Sequence, residues 1–62
     1  MNENITRREF YVALRKRKNI KQQELAQALH VARTVISRFE NGKYLFDNER
    51  VKAYENYIDN KK

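Results

Sequence analysis

Arg33, Thr34, Ser37 and Arg38 recur at helical spacing, with Ile36 and Phe39 on the other side of the same pattern. If the two apolar residues turn inward, the four polar ones project outward and Val35 lies at the edge. By themselves the two arginines read as a solvated helix face; on a helix that enters a DNA groove, an outward arginine fork would match O6 and N7 of guanine and discriminate by roughly 1–3 kcal/mol. Ala32 and Val35 offer small apolar surfaces suited to a thymine methyl. The chemistry on offer is recognition, not turnover. The one histidine, His30, has no nucleophile beside it, and Gly42 alone cannot build a loop that cradles phosphate. With no cysteine and one histidine, neither a disulfide nor a zinc site is expected, and no cofactor is implied.

Charge sharpens this reading. The 62-residue chain carries a formal net charge of +6. From Arg7 to Lys43 there are ten basic and three acidic residues, whereas from Tyr44 to Lys62 the count is four against four. The positive field is therefore concentrated where the outward arginines lie, and a polyanion is its natural partner. A membrane surface is a poorer match, because the basic residues do not flank a strongly apolar helix face. The longest apolar run, Phe10–Leu14, is too short for a signal peptide or a membrane span. A small cytoplasmic protein, complete in one domain over 1–62, is expected.

The elements that must position these residues are all helical. There is no proline, one glycine and no alternating strand pattern. A first helix starts at Thr6, where Thr6 and Glu9 form a capping box and Ile5 with Phe10 a hydrophobic staple. It buries Phe10, Tyr11, Ala13 and Leu14, runs to about Lys18, and stops at Asn19, a residue that tolerates the left-handed cap. Ile20 plugs the core. A second helix spans about Gln22 to Leu29 with Leu25, Ala26 and Leu29 on one face, and a corner follows at His30-Val31-Ala32. A third helix runs from about Arg33 to Glu40 and is halted by Asn41-Gly42. Asp47 caps a fourth, which buries Val51, Tyr54 and Ile58 and ends about Tyr57–Asp59, leaving Asn60–Lys62 frayed. Lys21 and Ala32 are poor caps, so the second and third helices depend on packing. Leu45, Phe46 and Tyr57 fit two roles, cover for the core or an exposed patch where two copies meet.

Taken together, Leu14-Arg15, Gln22, Glu24-Leu25-Ala26, Val31, Ile36-Ser37-Arg38 and Glu40-Asn41-Gly42 resemble the Cro/phage-repressor (XRE-type) helix-turn-helix family over Tyr11–Ile58. The resemblance implies an all-α, lambda-repressor-like bundle of four short helices. In it, helices 2 and 3 form the helix-turn-helix, and helix 3 enters the major groove. It implies Arg33, Thr34 and Arg38 as base readers, with Ser37, Val35 and Ala32 alongside. It further implies an ion pair between Arg15 and Glu40, and a Gln22 that contacts phosphate and braces the reading helix. The residues themselves add anion attraction at the start of helix 2, where Gln22 and Lys21 sit, and Asn41 and Lys43 beyond helix 3. Lys16, Arg17 and Lys18 read as a solvated face. Three departures stand out: His30 replaces the usual corner glycine, Lys21 and Ala32 replace the usual capping Ser or Thr, and the chain ends before a fifth helix.

Double-stranded DNA, on a pseudo-palindromic operator bound by two copies, is the partner this pattern implies. The function expected is that of a small phage or mobile-element repressor. The alternative is an antirepressor or antitoxin-like modulator that uses the same scaffold to bind another protein.

Overall fold

The computed structural model describes residues 6–62 and folds them into four α-helices. These are α1 (Arg7–Arg17), α2 (Gln22–Leu29), α3 (Arg33–Glu40) and α4 (Asn48–Asn60). At the start of α1, Thr6 Oγ1 accepts the Glu9 N–H at 3.0 Å, and Glu9 Oε1 accepts the Thr6 N–H at 2.9 Å. Both halves of the capping box are therefore made; Ile5, the other half of the expected staple, lies outside the described residues. Asp47 Oδ1 accepts the Arg50 N–H at 2.9 Å and starts α4. Lys21 and Ala32 make no side-chain cap, so α2 and α3 begin with uncapped N–H groups.

Three helices end the same way. After α1, the N–H of Ile20 reaches Arg15 O at 3.0 Å while Asn19 N–H reaches Lys16 O at 3.1 Å. After α2, Val31 pairs with Ala26 and His30 with Gln27; after α3, Lys43 pairs with Arg38 and Gly42 with Phe39. Each is the paired closure that needs one residue at positive φ. Asn19 and His30 supply it at 60°, Gly42 at 77°. Only at His30 does a branched ring carry the left-handed strain without a compensating preference as strong as that of Asn or Gly. His30→Gly is therefore expected to stabilise the fold by about 0.5–1 kcal/mol, the relief of strain exceeding the extra unfolded-state entropy. Urea denaturation of the two proteins side by side measures it.

The core is built from Tyr11, Ile20, Leu25, Ala26, Leu29, Ile36, Phe39, Tyr54 and Ile58. Ala26, the small residue that lets α2 approach its neighbours, is 1% exposed. Phe46 extends the core by stacking on Phe39 with centroids 4.3 Å apart, and Phe39 meets Tyr54 edge-on. Of the three ambiguous residues, Phe46 covers the core and Tyr57 packs partly buried against it, whereas Leu45 is 86% exposed beside a half-exposed Tyr44.

Two expectations need correction. Phe10 is 51% exposed and Ala13 is exposed as well. The inward line of α1 runs through Tyr11 and Arg15, four residues apart, because Arg15 must reach Glu40 across the core. At about 100° per residue, that choice turns Phe10 outward. Lys18 and the C-terminal residues are the second correction. Lys18 Nζ donates to the carbonyls of Ile58 at 2.7 Å and Lys61 at 2.9 Å, so it is not merely solvated. It supplies the last turn of α4 with partners the helix itself lacks.

Lys61, expected to fray, forms an ion pair with Glu24, and Tyr57 donates to the same carboxylate at 2.5 Å. These two bonds hold the Glu24 carboxyl below its ordinary pKa. A depressed carboxylate contributes stability above the ordinary value, and that stability is lost as pH falls through the folded value. The end of α4 is therefore expected to loosen as pH drops below about 4.3. Amide exchange at Asn60 and Lys61, corrected for intrinsic rates, should accelerate there while Leu25 stays protected.

Candidate nucleic-acid interface

α3 is eight residues long, which is about 12 Å of helix. Its inner face is closed by Ile36 and Phe39, both buried. Arg33, Thr34 and Arg38 are exposed, as is Ala32 at the cap position; Val35 and Ser37 are partly buried at the edges of the stripe. All six residues expected to read bases thus occupy one end or the outer side of a single short helix. A hydrogen-bonded corner fixes its start, and a glycine-terminated closure fixes its end.

The phosphate candidates divide into two groups. Lys21 and Gln22 stand at the start of α2, on an open groove of about 570 Å³ that Arg33 also lines. Lys16, Asn19 and Gln23 line it too. The charge on this surface is positive, and the uncapped N–H groups of α2 begin there. Asn41 and Lys43 lie beyond the opposite end of α3, both exposed, where their backbones close the helix. The structure therefore brings Lys21, Gln22 and Arg33 together on one groove, whose lining does not include Asn41 or Lys43. Lys16 and Asn19 were not legible as members of the groove. Sequence spacing alone leaves a lysine on the outer face of one helix without any neighbour on the next.

Behind the exposed face lies a buried hub on Glu40. Arg15 Nε and Nη2 donate to its two oxygens at 2.6 and 2.9 Å, a two-pronged pair with both side chains less than one-tenth exposed. Tyr54 OH donates to Glu40 Oε2 at 2.6 Å, and Gln22 Nε2 to Oε1 at 2.9 Å. The remaining Arg15 Nη1 donates to Ile20 O at 2.8 Å. Burial, together with the bond to Glu40, pushes the Tyr54 hydroxyl far up, so it stays a donor at any working pH. Each strong donor finds an acceptor, which is what a buried charge requires.

The hub also reaches the surface. Because Gln22 Nε2 is committed to a carboxylate, its Oε1 must face the other way, and it accepts Arg33 Nη1 at 3.3 Å. A continuous chain of polar contacts thus runs Arg15–Glu40–Gln22–Arg33, from the middle of α1 to the exposed start of α3. Tyr54 in this hub is a role that sequence reading missed, since its spacing on α4 marks it only as a core residue.

Comparison with known proteins agrees with the fold. A family model described as helix-turn-helix matches residues 13–61. No curated protein and no solved structure gives a match.

Proposed function

Since the chain belongs to the helix-turn-helix family of Cro/phage-repressor (XRE) type, whose members are DNA-binding transcription regulators, we propose that it is a sequence-specific repressor that reads operator DNA through α3. The observation that carries this reading is the exposed row Arg33, Thr34 and Arg38 on a helix fixed at both ends, with basic groups beyond each end. Arg33 and Arg38 read guanine edges, Thr34 and Ser37 add adaptable hydrogen bonds, and Val35 and Ala32 meet thymine methyls. Gln22, Lys21 and the uncapped start of α2 hold one phosphate strand; Asn41 and Lys43 hold the other. Such contacts set register and affinity, while the base contacts set sequence.

In this reading repression is by occupancy. The protein covers operator sequence in the cytoplasm, catalyses nothing and excludes polymerase. A single eight-residue reading helix supports only a few base contacts, so two copies on an inverted repeat, with half-sites about 34 Å apart, are expected. The test is selection of bound sequences from a random DNA pool. Enrichment of an inverted half-site at that spacing supports the proposal. Retention of DNA without any enriched sequence, falling steeply with salt, would reduce the protein to a nonspecific basic domain.

A further inference from the structure

A second cavity lies away from the reading face, between the start of α1, the loop after α3 and the start of α4. It holds about 180 Å³ and is walled by Tyr11, Phe39, Leu45, Val51 and Tyr54. None of the six base-facing residues lines it. Tyr44, Arg7, Arg8 and Glu55 complete its lining, and Arg7 is committed to Glu55 by two bonds of 2.7 and 3.0 Å. Among the described residues, Arg8 is not so committed. Its Nε is buried without a hydrogen-bond partner among the described residues. The guanidinium lies over Gly42, where an added Cβ would come within 3.3 Å of Nη2. A guanidinium whose Nε is unpaired has donor capacity left for an acceptor.

We infer that this cavity is a docking slot for an acidic protein segment, which inserts one apolar side chain and presents a carboxylate to Arg8. Size argues for a side chain: the volume falls below the roughly 300–1,000 Å³ of small-molecule sites and close to the roughly 150 Å³ that holds a single benzene ring. Leu45, 86% exposed, and Tyr44, 46% exposed, line the slot while leaving apolar surface open at its mouth, as a peptide contact needs and a lone ligand does not. Charge selects the kind of partner. Two arginines against one glutamate leave the lining positive. A second copy of this chain, itself at +6, would bring like charge to that rim, whereas an acidic segment is attracted to it.

The slot shares no lining residue with the six base-facing positions.

The experiment follows backbone amide shifts of the protein as blocked peptides are added. Asp-Glu-Leu-Asp-Glu is the probe; the same peptide with Ala for Leu, its Lys-Lys-Leu-Lys-Lys counterpart and sodium acetate are the comparisons. Saturable shifts at Leu45, Val51 and Glu55 are expected with the first peptide, weakened about fivefold or more when Leu becomes Ala. Arg8→Gln, which removes the charge, and Val51→Phe, which fills the slot, should each weaken the first peptide to a similar degree. Their DNA binding, expected within about twofold of the parent, shows that they remain folded. Equal binding of the acidic and Ala peptides, or of acetate at the same residues, would reduce the slot to a simple anion site and overturn the inference. So would unchanged binding by both variants, or the same shifts appearing when the protein alone is concentrated, which would assign the slot to a second copy.

Discussion

Arg15→Ala is expected to destabilise the fold by about 3–5 kcal/mol, enough to leave much of a domain this small unfolded at 37 °C. The loss comes less from the pair's net attraction than from what remains. Glu40 is left as a buried carboxylate that still accepts from Tyr54 and Gln22 but has no cation. Ile20 O loses its donor in the same step. Tyr54→Phe, by contrast, deletes one hydrogen bond to a charged acceptor and keeps the ring in its place, so a cost of about 1.5–3 kcal/mol is expected. Glu40→Gln should cost about as much as Arg15→Ala, since Arg15 becomes the stranded charge and the new amide NH2, whichever oxygen it replaces, faces an Arg15 nitrogen that can only donate. Chemical denaturation followed by circular dichroism gives the ordering. A cost under about 1 kcal/mol for Arg15→Ala would mean that water reaches Glu40 and that the hub is not the brace inferred here.

That hub marks the boundary of what the sequence makes legible. Helix limits were readable because their signals are local: Thr6 with Glu9 at one end, Asn19, His30 and Gly42 at the others, each within a few residues of the bond it makes. The Arg15–Glu40 pair came from family resemblance; no local pattern joins residues 25 apart. Phe10 shows the opposite failure. Its hydrophobicity marks it as core, yet the rotation of α1 is set by Arg15 reaching for Glu40, a demand that hydrophobic spacing does not register. Lys18 was hidden for a related reason, since the carbonyls it serves belong to residues 58–61. The outward face of α3 was legible throughout, because an eight-residue helix with two inward residues has only one way to present the rest.

Arg38→Ala and Arg33→Ala are each expected to lower affinity for the selected operator by about 1–3 kcal/mol, and to relax sequence preference at one base position. Both side chains are exposed, so stability should change by less than about 0.5 kcal/mol. The two substitutions should nonetheless differ. Arg33 is tied through Gln22 and Glu40 to the core, so part of its aim is set before DNA arrives. Gln22→Ala should therefore reproduce some of the specificity loss of Arg33→Ala while leaving readout by Arg38 intact. Lys43→Ala makes the necessary contrast. A phosphate contact carries no sequence information, so affinity should fall equally for all sequences, and the slope of log K against log salt should shrink by about 0.9. Competition binding on the operator, on single-base variants and on random DNA, repeated at several salt concentrations, separates the two signatures. If the Arg38 variant instead behaves like the Lys43 variant, uniform across sequences with a shallower salt slope, then Arg38 serves phosphate and base reading rests on the first turn of α3 alone.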